Sequence, residues 1–538
     1  MLDILIINGT VYDGSGTEPF RANIGIKGDR ILMITPNMPK ASKIIDASGL
    51  AVSPGFIDIH SHTDFTIIDN PQAESKIMQG VTTEVVGNCG FSPAPVRRKY
   101  FNVLMDYFSN TVSLSEEEKK KWRWANLYDF YEEIENKGIS VNLVPLMGYG
   151  TLRVAFSGFP KEPSPLLLEV QKKLLYQIEK EMEGGIWGIS TALEYPPCSY
   201  AGIEEMVEAC KVVKRYDGIY STHIREEKGE KVFKSIDEAI KVAQLSGVNL
   251  EISHLKAAGR ENWGRARDIL NRIHLAQQKG ISVDTDQYPY PAWGSSILDF
   301  LPEEVVRQGS NYWENLLINK KSRKTIEDYI RSNPDGPEKD MGWKGILIAA
   351  VKTNNNLSAV GKNLEELSEI RKKSPEEIVV DLLLEEEGCV KMIVFCMQEE
   401  DIKCILEDSK IMIGSDGRAV APYGKYGKTH PHPRYYGTFP RILGKYVREE
   451  QVISLTEAIR KMTYLPATKI GLENRGKISM GAFADITIFN PQTIIDVATF
   501  ENPHCFPRGI EEVIVNGRIV VEKGKLTSAL PGHFLRRT

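Results

Sequence analysis

The sequence predicts an α/β protein, a parallel eight-stranded α/β barrel with a small β-sandwich formed by both chain ends. Three observations carry this. Apolar, β-rich runs recur at 56–60, 81–86, 141–147, 186–192, 218–223, 248–253, 281–285 and 411–415. Amphipathic Glu/Lys-rich stretches separate several of them, the rhythm of parallel strands joined by crossover helices. The two ends have a different rhythm, with short strands broken by Gly and Asp.

At the N-terminus, Ile4-Leu5-Ile6-Ile7-Asn8 leads into Gly9-Thr10-Val11-Tyr12, and residues 23–35 and 43–47 continue in the same style. Residues 484–489 and 513–521 repeat it. Neither end is long enough for its own core, so residues 1–54 plus 479–538 are expected to share one sandwich, leaving 55–478 for the barrel. Within the barrel, Leu166 to Glu183 and Ser235 to Leu245 read as helices, with Ser164-Pro165 as cap and first-turn proline of the former. The gap between the seventh and eighth strands is too long for one crossover. It contains further β-like runs at 344–351 and 390–397, so an inserted segment is expected at approximately 296–380.

Composition narrows the function classes. With 67 Lys plus Arg against 72 Asp plus Glu, no basic surplus favours nucleic acid. Lys119 to Lys121 follow Glu116 to Glu118 and read as a solvated helix face. No apolar run of ~18 residues suggests a membrane span, and Met1-Leu2-Asp3 lacks the basic opening of an export signal. Seven scattered cysteines fit a reducing, cytoplasmic setting.

The strongest chemical signal lies at the strand ends. His60 and His62, two apart in Phe56-Ile57-Asp58-Ile59-His60-Ser61-His62, share one face of an extended chain, and Asp64 follows. His223, His254 and Asp416 each end a later apolar run, and Cys89 lies just past another in Gly87-Asn88-Cys89-Gly90. Carboxyl ends of barrel strands converge on one mouth. Imidazoles, a thiolate and a carboxylate there make a zinc site plausible. Each residue alone has a structural reading, as a buried thiol, a hydrogen-bonded histidine or a turn aspartate. Their joint placement disfavours that account.

These segments resemble the D-aminoacylase group, the N-acyl-D-amino-acid deacylases of the amidohydrolase superfamily. The likeness runs through Pro54-Gly55-Phe56-Ile57-Asp58, Gln79-Gly80-Val81-Thr82-Thr83, Gly87-Asn88-Cys89-Gly90, His223-Ile224-Arg225-Glu226, Ser253-His254-Leu255-Lys256, Asp286-Gln287-Tyr288-Pro289-Tyr290, Gly414-Ser415-Asp416-Gly417 and His432-Pro433-Arg434, nearly the whole chain. It implies a TIM-like (β/α)8 barrel that hydrolyses N-acyl-D-amino acids. It also implies one tightly bound zinc at Cys89, His223 and His254. A second, weaker position would lie at His60, His62 and Asp416, with Cys89 able to bridge. Asp416 would shuttle the proton between water and the leaving amine. The substrate carboxylate would meet Lys256 and Tyr288, with Ser295 and Arg434 as further donors. Asp64 would orient a histidine and Arg225 would order the mouth. The expected partner is a small N-acyl amino acid.

Three departures weaken transfer of substrate preference. The path from Tyr288 to Ser295 is one residue longer than usual for the group, Tyr149 stands where many relatives carry histidine, and Arg418 to Lys428 is long and rich in Gly and Lys. A peptide (D-aminoacyl), carbamoyl or formyl amide stays open as substrate. A cyclic amidase of hydantoinase or dihydroorotase type is the alternative enzyme, but the lysine it expects at the fourth strand is missing from Ile189-Ser190-Thr191-Ala192-Leu193.

Overall fold

Eight parallel strands form in the computed structural model, which describes every residue except 110, 113, 161, 163 and 538. They are β1 (Phe56–Asp58), β2 (Val81–Val86), β3 (Asn142–Pro145), β4 (Gly188–Ala192), β5 (Ile219–His223), β6 (Asn249–Ile252), β7 (Val283–Gln287) and β8 (Ile411–Ile413). β1 to β3 pair in chain order, and β4 to β8 do likewise. A short strand just past β3, Met147–Gly148, pairs with β4 and links the two runs. The ring closes at its mouth, where His62 donates its backbone N–H to Gly417 (2.9 Å) and Asp416 donates to His60 (2.8 Å). Every residue of β2 is buried, as expected of a strand covered on both faces.

The crossover helices bury one stripe each. In Leu168–Glu183 the stripe is Leu174, Gln177, Ile178, Glu181 and Met182. This helix begins later than the Ser164-Pro165 signal suggests. Leu167 is its N-cap and makes no side-chain cap bond. The Ser164 carbonyl instead accepts from Arg153 Nη2, which holds the approach outside the helix.

The chain ends build two facing sheets. One orders Arg30–Thr35, Asn23–Lys27, Leu2–Ile7 and Ala41–Asp46; the other runs from Lys525–Leu526 through Arg518–Glu522, Ile510–Val515, Ile486–Phe489, Ala51–Pro54 and Thr10–Val11 to Phe20–Arg21. Ile486 pairs with Pro54 and Ile488 with Val52, so the two ends share one ladder. Ile4, Ile6, Ile24, Ile26, Val52 and Ile486 fill the space between the sheets. The last residues return to the barrel, where Leu535 donates its N–H to Leu143 and its carbonyl accepts from Trp187 Nε1.

Between β7 and β8 the chain forms a separate antiparallel sheet, ordered Ala292–Ser296, Lys391–Phe395 and Ile346–Ala350. Helices cover it, and its own apolar core reaches from Ile297 to Val394. One of these helices, Pro375–Glu385, carries a Ser374/Glu377 capping box and proline in its first turn.

Candidate metal centre

Close packing places the strand-end groups. A side chain at Gly87 would meet the Leu146 carbonyl at 2.0 Å, and one at Gly414 would meet Asp286 at 2.3 Å. Cys89, His254 and Asp416 all have positive φ, at 50°, 38° and 45°. Left-handed backbone costs about 1–2 kcal/mol per ordinary residue. Here local bonds hold it: the His254 N–H donates to Asp286 Oδ1 (2.8 Å), and the Asp416 N–H to His60.

The expected ligands meet. Cys89 Sγ lies 3.3 Å from His60 Nε2 and 3.7 Å from His254 Nε2. His223 Nδ1 lies 3.1 Å from His254 Nε2, and His62 Nε2 lies 3.1 Å from Asp416 Oδ1. Ligands around one tetrahedral zinc stand roughly 3.3–3.6 Å apart, from Zn–N and Zn–S bond lengths. The donor set suits zinc in softness, and the spacings here, 3.1 to 3.7 Å, straddle that range. Burial alone would raise the Cys89 thiol, but the imidazoles of His60, His223 and His254 hold it well below its ordinary value. The anionic thiolate is the form that binds metal.

Each ring also has a far edge. His223 Nε2 meets Glu194 Oε2 at 2.6 Å, and His254 Nδ1 lies 3.2 Å from Glu227 Oε1. His60 Nδ1 faces Asp286 Oδ1 at 3.7 Å. Glu194, Glu227 and Asp286 had no assigned role in the sequence reading, although each directly follows or belongs to a strand-end motif. Carboxylates behind metal-binding imidazoles fix ring orientation and raise basicity. Asp64 behaves differently. Both its oxygens are buried without a hydrogen-bond partner among the described residues. Burial pushes its carboxyl up to about 7 despite the pull of His62.

Cationic groups flank the cluster. Arg434 Nη2 donates to Asp416 Oδ2 (2.9 Å), and its guanidinium lies 4.6 Å from the Tyr288 ring centre. Lys256 Nζ approaches the same ring at 5.7 Å. The Tyr288 hydroxyl and the Arg434 Nε and Nη1 are buried donors with no hydrogen-bond partner among the described residues, a set that suits an anion. Burial raises Asp416, but Arg434 and His62 outweigh it and hold the carboxyl well below the usual range.

Ser295 is not part of this group. Its neighbour Gly294 approaches Arg434, so strand alternation turns Ser295 to the other face, where its hydroxyl donates to Asp299. Arg225 forks onto Glu238 (2.8 and 2.9 Å) and the carbonyls of Ser199 and Ala201, ordering the turn after β4. Tyr149 is buried and donates to Glu205 (2.8 Å), away from the ligand cluster. Tyr195 packs its ring on His223, with centres 5.4 Å apart. Within the long Arg418–Lys428 connection, Lys425 pairs with Asp69 and Glu118.

Known proteins resemble this chain in sequence and fold. A profile of the Amidohydrolase family matches residues 43–133 and 407–521. D-aminoacylase from Alcaligenes xylosoxydans xylosoxydans is 34% identical over 537 residues, covering 100% of this chain and 98% of that protein. The crystal structure of N-acyl-D-glutamate deacylase from Bordetella bronchiseptica, complexed with zinc and a phosphonate mimic of the tetrahedral intermediate, superposes with a TM-score of 0.81. It is 28% identical over 99% of both chains. A D-aminoacylase structure concerned with a binuclear centre, one-metal activation and second-metal attenuation has a TM-score of 0.81 and 31% identity over 100% of both chains.

Proposed function

Because the chain belongs to the D-aminoacylase family of amidohydrolases, we propose that the Cys89-centred cluster, with Asp416 beside it, is its catalytic centre. The enzyme hydrolyses N-acyl-D-amino acids to a carboxylate and the free D-amino acid, and zinc is its cofactor. Cys89, His223 and His254 would hold one zinc tightly, with His60, His62 and Asp416 offering a second, weaker position. A bound zinc ion supplies an activated water at neutral pH and polarises the acyl carbonyl.

The observation that carries the assignment of roles is the meeting of Arg434 and Lys256 over the Tyr288 ring, with Arg434 also paired to Asp416. These donors receive the α-carboxylate and so aim the scissile amide at the ligand cluster. Asp416 takes a proton as water adds to the acyl carbon. It returns that proton to the nitrogen as the C–N bond breaks, since an unprotonated amine leaves poorly.

We also take residues 1–54 plus 479–538 as the sandwich and 55–478 as the catalytic barrel with its insertion. Unpaired cysteines support a cytoplasmic setting, and among the described residues no helix is long and apolar enough to cross a membrane. The test is a panel of N-acetyl-D-amino acids, their L-isomers and cyclic ureides, with zinc measured on the same preparation. Turnover confined to the D-series supports the reading. Preference for cyclic ureides overturns it.

A further inference from the structure

One buried carboxylate joins the proposed metal ligands to the proposed substrate cation. Glu227 lies four residues past His223, just ahead of the helix Lys231–Ser246, and is 5% exposed. Its Oε1 accepts from Lys256 Nζ at 2.6 Å and lies 3.2 Å from His254 Nδ1, while its Oε2 lies 3.9 Å from His223 Nε2. Lys256 Nζ is itself only 2.8 Å from His254 Nδ1.

We propose that Glu227 is a positioning residue that couples zinc affinity to recognition of the substrate carboxylate, through His254 on one side and Lys256 on the other. This rests on the roles given above to Lys256 and His254.

Ring geometry separates this role from that of a ligand. His254 presents Nε2 to Cys89 and His223, and His223 presents Nδ1 to His254. The edges that face Glu227 are the opposite ones. An ion shared with Cys89 therefore leaves Glu227 behind the rings, although its oxygen is close enough to both to complete a cluster on that side. An imidazole that gives Nε2 to a cation carries its proton on Nδ1 and needs an acceptor there. Lys256 also brings only donors to this point. Two donors, the ring N–H and the ammonium, converge on one place, and Glu227 is the acceptor placed to satisfy both. Without its charge they would oppose each other in a buried site. The ring would then lose its orientation, and the ammonium would move from beside Tyr288.

The test uses the full-length protein and Glu227→Gln. Zinc affinity is measured without substrate by competition with a chromogenic chelator. KM and kcat are measured at saturating zinc with an N-acetyl-D-amino acid. Zinc affinity is expected to fall roughly 10–100-fold, the usual effect of losing a carboxylate behind a metal-binding histidine. KM is expected to rise at saturating zinc more than kcat falls. Glu227→Asp should recover part of both losses, and it carries the test if the Gln variant does not fold. In a Lys256→Met background, Glu227→Gln should still weaken zinc but add little to KM. A change in zinc affinity alone, or in KM alone, overturns the coupling. Loss of zinc as deep as in His254→Ala marks Glu227 as a ligand and also overturns it. Failure of the wild-type protein to hydrolyse any N-acyl-D-amino acid sinks the roles given above, whereas a normal wild type with an unaltered variant sinks only this proposal.

Discussion

Replacing Asp416 by Asn separates proton transfer from metal binding. The substitution preserves side-chain shape, and its amide oxygen can still accept from Arg434 Nη2, now 2.9 Å from the carboxylate. The proposed tight ligands Cys89, His223 and His254 are untouched, and His254 meets the other two without Asp416. What disappears is a group able to carry a proton from water to the amine. A positioned acid–base group contributes ~10²–10⁴-fold, or roughly 3–5 kcal/mol of barrier. The expected result is a loss of kcat in that range with about one zinc retained per chain. Steady-state hydrolysis of an N-acetyl-D-amino acid and elemental analysis of the same sample read both quantities. Turnover within about threefold of wild type would remove Asp416 from the chemistry. Loss of the tight zinc would instead make it essential to the metal site.

Three other perturbations have defined outcomes. Lys256→Ala should weaken handling of carboxylate-bearing substrates by ~10–100-fold, the worth of a hydrogen bond to a charged group. An equal loss on an uncharged acyl amide would make its role structural. Cys89→Ala should abolish tight zinc binding as well as activity, because it removes the one anionic sulfur between His60 and His254; stoichiometric zinc in the purified variant would contradict the bridge. Glu181 tests the electrostatics of the barrel wall. Burial pushes its carboxyl up to about 7 from 4.5, against hydrogen bonds from Leu127 N–H and Gln177 Nε2. Between those values the folded state holds the proton better than the unfolded chain, so stability falls as pH rises through this window. Glu181→Gln keeps an acceptor for Leu127 and should raise the melting temperature above pH 7, by up to about 3 kcal/mol of stability. It should have little effect below about pH 4.5, and equal shifts at pH 4 and pH 8 would refute the argument.

The barrel was legible in the sequence because it is written locally. A buried parallel strand is a continuous apolar run, and each of β1 to β8 falls within or overlaps such a run. A metal-capable residue at the carboxyl end of a strand can be read from its position after the run, as for His60, His223 and His254. The helix start expected at Ser164-Pro165 failed for a nonlocal reason, since Arg153 engages the Ser164 carbonyl. Ser295 shows the same limit. The family resemblance implied it as a carboxylate donor despite a path one residue too long, but the pairing of Ala292–Ser296 with Lys391–Phe395 decides which way it faces.

The sequence by itself therefore determined the strands, the shared sandwich and the set of metal-capable residues, because strand periodicity and strand-end position are local properties. Tertiary structure alone decided which nitrogen of each histidine faces the cluster. It also placed Glu194, Glu227 and Asp286 behind the rings and Arg434 against Asp416. These contacts join groups as far apart in the chain as His62 and Asp416, 354 residues. No local pattern encodes them, because their geometry exists only once the barrel has closed and burial has made each unpaired charge costly.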